Sequence, residues 1–137
     1  MSGFTCGVCI ARRGRGLVAV VVDEDGRAMS PKVFDRERDA QWDLLTWLDT
    51  EVALDCDLVL PDTLASECEL AHFAIERGAA VWLVPPAVLR CVRIVANLDT
   101  GPPARTAAAL ARVPLAPMLR QYLCRLVPAE KPQQPLV

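Results

Sequence analysis

Three short runs dense in apolar and β-branched residues, followed by strands alternating with helix-length segments, constrain this chain more than any other feature. Phe4–Ile10 is short and apolar, and Leu17–Val22 is four-sixths valine. Branched side chains of that kind favour an extended backbone. The link Ala11-Arg12-Arg13-Gly14-Arg15-Gly16 joins the two runs, and Asp23-Glu24-Asp25-Gly26 supplies a turn in which glycine takes a positive φ. A third strand follows and ends near Lys32-Val33-Phe34. Three strands joined by short links predict an antiparallel meander.

The middle of the chain changes period. From Asp39 onward, Trp42, Leu45, Leu48 and Val52 recur at intervals of three and four, which is helical spacing. Residues 57–60 form a brief apolar strand closed by Pro61-Asp62. Ser66-Glu67-Cys68-Glu69 fits a capping box, with Ser66 as N-cap and Glu69 reaching back; Leu70, Phe73 and Ala74 make the buried stripe, and Gly78 ends the helix. Residues 79–84 read as the next strand, stopped by Pro85-Pro86. Strands alternating with helices predict parallel pairing through crossovers.

The last third predicts a short helix over 87–95, a loop over 97–103 and an alanine-rich helix over 104–113 that Pro114 interrupts. Leu115, Met118, Leu119, Tyr122, Leu123 and Leu126 then form an amphipathic helical stripe that either closes the core or makes a homodimer contact. The expected organisation is one α/β domain over 1–127 and a disordered Pro/Gln-rich tail over 128–137. With 137 residues there is room for one hydrophobic core. The start lacks a secretory pattern and no apolar run is long enough to span a bilayer, so the expectation is a cytoplasmic chain without a membrane contact. Six cysteines in that setting read as reduced core thiols.

Net charge is −2, yet residues 1–80 carry 8 basic and 15 acidic side chains while 81–137 carry 7 basic and only Asp99 and Glu130. Arg90, Arg93, Arg105, Arg112, Arg120 and Arg125 therefore form a basic half, which Arg12, Arg13 and Arg15 would join if the first hairpin lies close. Their forked donors suit nucleic-acid phosphates or an acidic protein surface.

The segments Gly7-Val8-Cys9-Ile10-Ala11, Val20-Val21-Val22-Asp23-Glu24-Asp25-Gly26, Leu44-Leu45-Thr46-Trp47-Leu48, Leu58-Val59-Leu60-Pro61-Asp62-Thr63, Gly78-Ala79-Ala80-Val81-Trp82-Leu83-Val84-Pro85-Pro86 and Arg105-Thr106-Ala107-Ala108-Ala109-Leu110-Ala111-Arg112 stand in an order that carries a resemblance. Over roughly residues 5–113 the chain resembles the RuvC-like N-terminal domain of DEDD-type insertion-sequence transposases. The resemblance implies a ribonuclease H-like fold: a mixed five-stranded sheet, an antiparallel meander plus two parallel strands, with helices packed on it. It also implies two divalent metals held by carboxylates of the first strand, the fourth strand and a late helix, where they stabilise an in-line phosphoryl displacement. Here the first-strand acid falls on Cys9, the fourth-strand acid on or beside Pro61, and the late-helix acids near Pro103 and Thr106. Asp62 is one residue out of register, and with Asp99 it is the remaining candidate acid. No cofactor is expected.

Two thiol patterns stand beside this. Cys6-Gly7-Val8-Cys9 is a C-x-x-C without the following helix that a redox pair needs, and spacing by three on a strand sends the two side chains to opposite faces. Cys68 and His72 share a helix face and would complete a zinc site with Cys6 and Cys9 if those lay in a knuckle. Four functions stay open. They are a non-catalytic ribonuclease H-like module for nucleic-acid or protein binding and assembly, a homodimeric interaction module, a thiol or zinc protein, and a metal-dependent nuclease if the register differs.

Overall fold

In a computed structural model, which describes residues 4–10, 16–34, 39–52, 56–67, 69–96 and 102–126, strand β1 (Phe4–Ile10) lies at the middle of a mixed sheet. On one side β1 pairs antiparallel with β2 (Leu17–Val22), which pairs antiparallel with β3 (Lys32–Phe34), giving the expected meander. On the other side β1 runs parallel to β4 (Cys56–Pro61), and β4 parallel to β5 (Val81–Val84). A sixth strand, β6 (Cys124–Leu126), pairs antiparallel with β5, so the order is β3-β2-β1-β4-β5-β6 rather than the five strands predicted.

Helices cover both faces. Cys6, Val8, Ala19, Val21, Leu58 and Leu60 face the layer of α1 (Ala40–Trp47), α2 (Asp62–Glu67) and α3 (Leu70–Glu76). Cys9, Val18, Val20, Val22, Val59 and Val84 face the layer of α4 (Pro86–Ala96) and α5 (Pro103–Arg112). Every residue of β2 is buried, which explains why it reads as an unbroken apolar run. Among the described residues no helix is long and apolar enough to cross a membrane.

Helix α5 rests directly on β1. Thr5 and Gly7 alternate with inward-facing neighbours, and a Cβ on Gly7 would stand 1.9 Å from the Ala107 carbonyl oxygen and 2.7 Å from the Ala111 nitrogen. Glycine is what lets helix and strand backbones meet here. One residue pair away, the buried Thr5 hydroxyl donates to the Ala111 carbonyl at 2.6 Å, satisfying an acceptor in the last turn of α5, where intrahelical donors run out. Thr5→Val keeps the shape but strands that carbonyl. It should lower the urea midpoint, by about 1–2 kcal/mol of stability, with the slope unchanged.

Four expectations require correction. The predicted helix from Asp39 to Val52 is α-helical only to Trp47 and continues as a widened π-helical turn over Leu48–Val52. Its buried residues are Ala40, Leu44, Leu45 and Leu48, whereas Trp42 faces outward, stacked on Phe73 with ring centroids 4.4 Å apart. The Ser66 capping box does not form. Ser66 lies within α2, and Glu69 stands at the N-cap of α3 with no side-chain bond. Asp62 starts α2 directly after Pro61, with its carboxylate in the first turn, a favourable place for negative charge. Gly78 does end α3, at a φ of 88° that L-residues avoid.

The largest correction concerns the helix from Leu115 to Leu126. That stretch is a 3-10 turn over Val113–Leu115, the single-turn helix α6 (Pro117–Arg120), a turn, and β6. Pro114 and Pro117 both sit at helix starts, where a missing N–H is tolerated, so each opens a short turn instead of continuing a long one. Leu115, Leu119 and Leu123 still point inward at intervals of four, packing under α4 and α5. The expected homodimer helix is therefore absent as a continuous element.

Candidate functional site

At the carboxyl ends of the parallel strands, open α/β sheets bind ligands, so the end of β1 and β4 beneath α5 is where chemistry would sit. β1 and β4 run in register from Phe4 opposite Cys56 to Gly7 opposite Val59. Two residues further along both strands, Cys9 and Pro61 occupy the same face by alternation. The buried Cys9 thiol donates to the Pro103 carbonyl at 3.1 Å, at the start of α5. Cys9 and Pro103 thus meet, and neither side chain carries a carboxylate. Thr106 is half-buried one turn along α5. Asp62 is exposed and opens a helix whose Leu64 packs in the opposite layer, away from Cys9. Asp99 lies outside the described residues.

The thiols separate. Cys6 points into the layer of α1–α3 and Cys9 into that of α4 and α5. Cys6 instead meets Cys56 on the neighbouring strand. The hydrogen bond with the Cys56 thiol, burial and the charge Cys56 would carry all push the Cys6 pKa well above the ordinary thiol range, so this thiol stays protonated. A protonated, fully enclosed thiol is a poor nucleophile. His72 is exposed on α3, and Cys68 lies outside the described residues. Among the described residues no group of three or more His, Cys, Asp or Glu is gathered to hold a metal ion.

The arginines fall into two sets. Arg105 and Arg112 stand seven apart on the exposed side of α5, and Arg112 Nε donates to the Gly26 carbonyl at 3.0 Å, tying α5 to the β2–β3 turn. Arg90 is exposed on α4, while the Arg93 side chain and Arg12, Arg13 and Arg15 lie outside the described residues. Arg120 and Arg125 converge on one ring. Their guanidinium carbons lie 5.6 and 5.7 Å from the centroid of Trp82, whose indole N–H donates to Asp57 Oδ2 at 3.2 Å. Cross-strand pairing explains half of this, since Trp82 stands opposite Arg125 in the β5–β6 ladder and shares its face. Trp82 was not among the residues singled out from sequence. Its position one residue before Leu83-Val84, 38 and 43 residues from the arginines along the chain, gave no signal until β6 was placed beside β5.

A second exposed aromatic cluster lies on the opposite layer. Trp42 stacks on Phe73, the Arg77 guanidinium lies 5.6 Å from the Trp42 centroid, and Arg77 pairs with Asp49. Beside it runs a shallow crevice lined by Leu45, Leu48, Cys56, Leu58, Ala74 and Ala79.

Comparison with known proteins adds no family: no protein-family model matches the chain, and no curated protein matches it.

Proposed function

We propose that the chain is a non-catalytic ribonuclease H-like domain, related to the RuvC-like domain of mobile-element transposases, that binds nucleic acid through its arginine-bearing side. The observation that carries the reading is the junction of β1, β4 and α5. The positions the resemblance assigns to metal-binding acids are Cys9, Pro61 and the neighbourhood of Pro103 and Thr106, and the first is closed off by a hydrogen bond to the helix above it. Divalent magnesium or manganese is held chiefly by carboxylate oxygens, which none of these side chains carries. Supporting the scaffold part is the strand order, a meander followed by two parallel strands. Supporting the binding part is the stretch 102–126, which holds four arginines and no acid.

A protein-binding role of the same scaffold is the second reading. Trp42, exposed on α1 and packed with Phe73 and Arg77, is the kind of anchored aromatic around which protein interfaces centre.

The test is a gel-shift series with DNA over a range of salt concentrations, run beside a nuclease assay. The expected result is binding at low salt that weakens linearly on a log–log plot, by about 0.7–0.9 per phosphate contacted. No cleavage is expected with magnesium or manganese. Absence of binding at low salt would leave the protein-binding reading, and metal-dependent cleavage would return the nuclease.

A further inference from the structure

Two helices in opposite layers carry matching outer faces. On α3 and its N-cap, Glu69 and Glu76 are exposed seven residues apart, with His72 and Phe73 between them. On α5, Arg105 and Arg112 are exposed at the same interval, with the half-buried Ala108 and Ala109 between them. Positions i, i+3, i+4 and i+7 share one side of a helix. Each face therefore presents two charges about 10 Å apart along the axis, around a central pair of side chains. The central pairs differ in size in a useful way. Phe73 is backed by Trp42, which stacks on it, whereas two alanines leave α5 low between its arginines.

We infer that the α3 face is a docking surface for the α5 face of a second copy of this chain, with Glu69 and Glu76 on Arg105 and Arg112 and Phe73 seated over Ala108 and Ala109. The inference rests on the protein-binding reading above and deepens it by naming the partner. Charge complementarity selects the occupant. Residues 39–80 hold ten acids and a single basic side chain, Arg77, which is already paired with Asp49; residues 102–126 hold four arginines and no acid. Arg105 is in no ion pair among the described residues. Arg112 spends only Nε on the Gly26 carbonyl, so its two terminal nitrogens are left for a carboxylate. Spacing adds to charge. Because both intervals are seven residues, acids meet arginines whichever way the two helices run. Large side chains over alanines let the axes approach to about 8 Å, the close end of helix packing. The two faces lie on opposite sides of the sheet, so two copies cannot satisfy both in a closed pair. The contact is head to tail and adds further copies in the same way. Nucleic acid on α5 and a second copy there exclude each other.

The experiment is sedimentation equilibrium of the full chain from micromolar to millimolar concentration, at low and high salt. The parent's mean mass should climb past that of a dimer as concentration rises, and fall back when salt screens the charge pairs. Glu69→Lys/Glu76→Lys and Arg105→Glu/Arg112→Glu should each weaken association by about tenfold or more, because each sets like charges against each other. Mixed in equal amounts, the two variants should associate again, since every face then meets its opposite; mixing does not repair a lost fold. Arg105→Glu alone spares the Gly26 bond and should shift association in the same direction. Circular dichroism verifies that all variants are folded. A parent whose mass stops at the dimer, charge variants that associate as the parent does, or a mixture that stays apart overturns the inference. A parent that remains monomeric at every concentration overturns it as well. In that event, retention of another protein from cell extract that Trp42→Ala abolishes leaves the broader protein-binding reading standing, and no such retention removes both.

Discussion

Gly7→Ala should cost about 3 kcal/mol or more and should be the most damaging single-methyl change in the protein. The added carbon would overlap the Ala107 carbonyl oxygen, and the next atom in its path is the Ala111 backbone nitrogen. Neither can rotate away, because both belong to the backbone of α5. The helix must move as a body, and that motion pulls the Ala111 carbonyl from Thr5 and the Pro103 carbonyl from Cys9. It also opens the layer in which Ala107, Leu110 and Ala111 are fully buried against β1 and β2. Gly78→Ala provides the contrast. Nothing stands within 4 Å of the added carbon there, so only the backbone conformation at a φ of 88° is penalised, about 1 kcal/mol. Urea unfolding of both variants beside the parent checks the ranking. A Gly7→Ala protein within 1 kcal/mol of the parent would mean that α5 does not bear on β1 in solution.

The second large effect comes from restoring an acid to the first strand. Cys9→Asp should remove about 2–4 kcal/mol at neutral pH. The new carboxylate would be enclosed and would face the Pro103 carbonyl, an acceptor that repels it, where the thiol now donates. Only the protonated acid can take over that bond, so its pKa in the folded protein is raised above the unfolded value of about 3.9. The sign follows from proton linkage. The folded state binds more protons than the unfolded chain, so stability is full below about pH 3.9 and falls as pH rises toward the folded-state pKa. Urea midpoints of both proteins between pH 3 and 8 measure the difference. Repeating the series with magnesium extends the test: metal that restores the lost stability at neutral pH would reveal carboxylates converging on Cys9, and the nuclease reading would replace the one proposed.

Elements whose local preference and tertiary role agree were legible in the sequence. β1 and β2 begin and end where their apolar runs do, because both are buried on two faces and need no alternation to mark them. Gly78 was legible because only a residue without a side chain stops α3 there so cheaply. The spacing of Trp42 and Leu45 marks a helix without saying which side is covered, and only the presence of Phe73 on the neighbouring helix decides that Trp42 stacks outside. The region after Pro114 was misread because Leu115, Leu119 and Leu123 satisfy a spacing of four either on one long helix or on three short turns over the same core. Two prolines at helix starts favour the second, and β6 is too short to announce itself. The candidate site followed suit. The arginines and Cys9 were named residue by residue, but the ring that gathers Arg120 and Arg125 became visible only with the pairing of Trp82 and Arg125.

The bond between Thr5 and Ala111 joins residues 106 positions apart, and it sets a schedule for synthesis. The layer of α1–α3 draws only on residues up to Leu83, so it can assemble on the meander while the rest of the chain is still being made. The other face of β1 and β2, a row of valines with Gly7 and Cys9, has no cover until α5 emerges. Contacts of such long separation form slowly, since most of the chain must be ordered before they are rewarded. A growing chain therefore carries an open apolar sheet face for most of its time on the ribosome, and that face is the one a chaperone would hold.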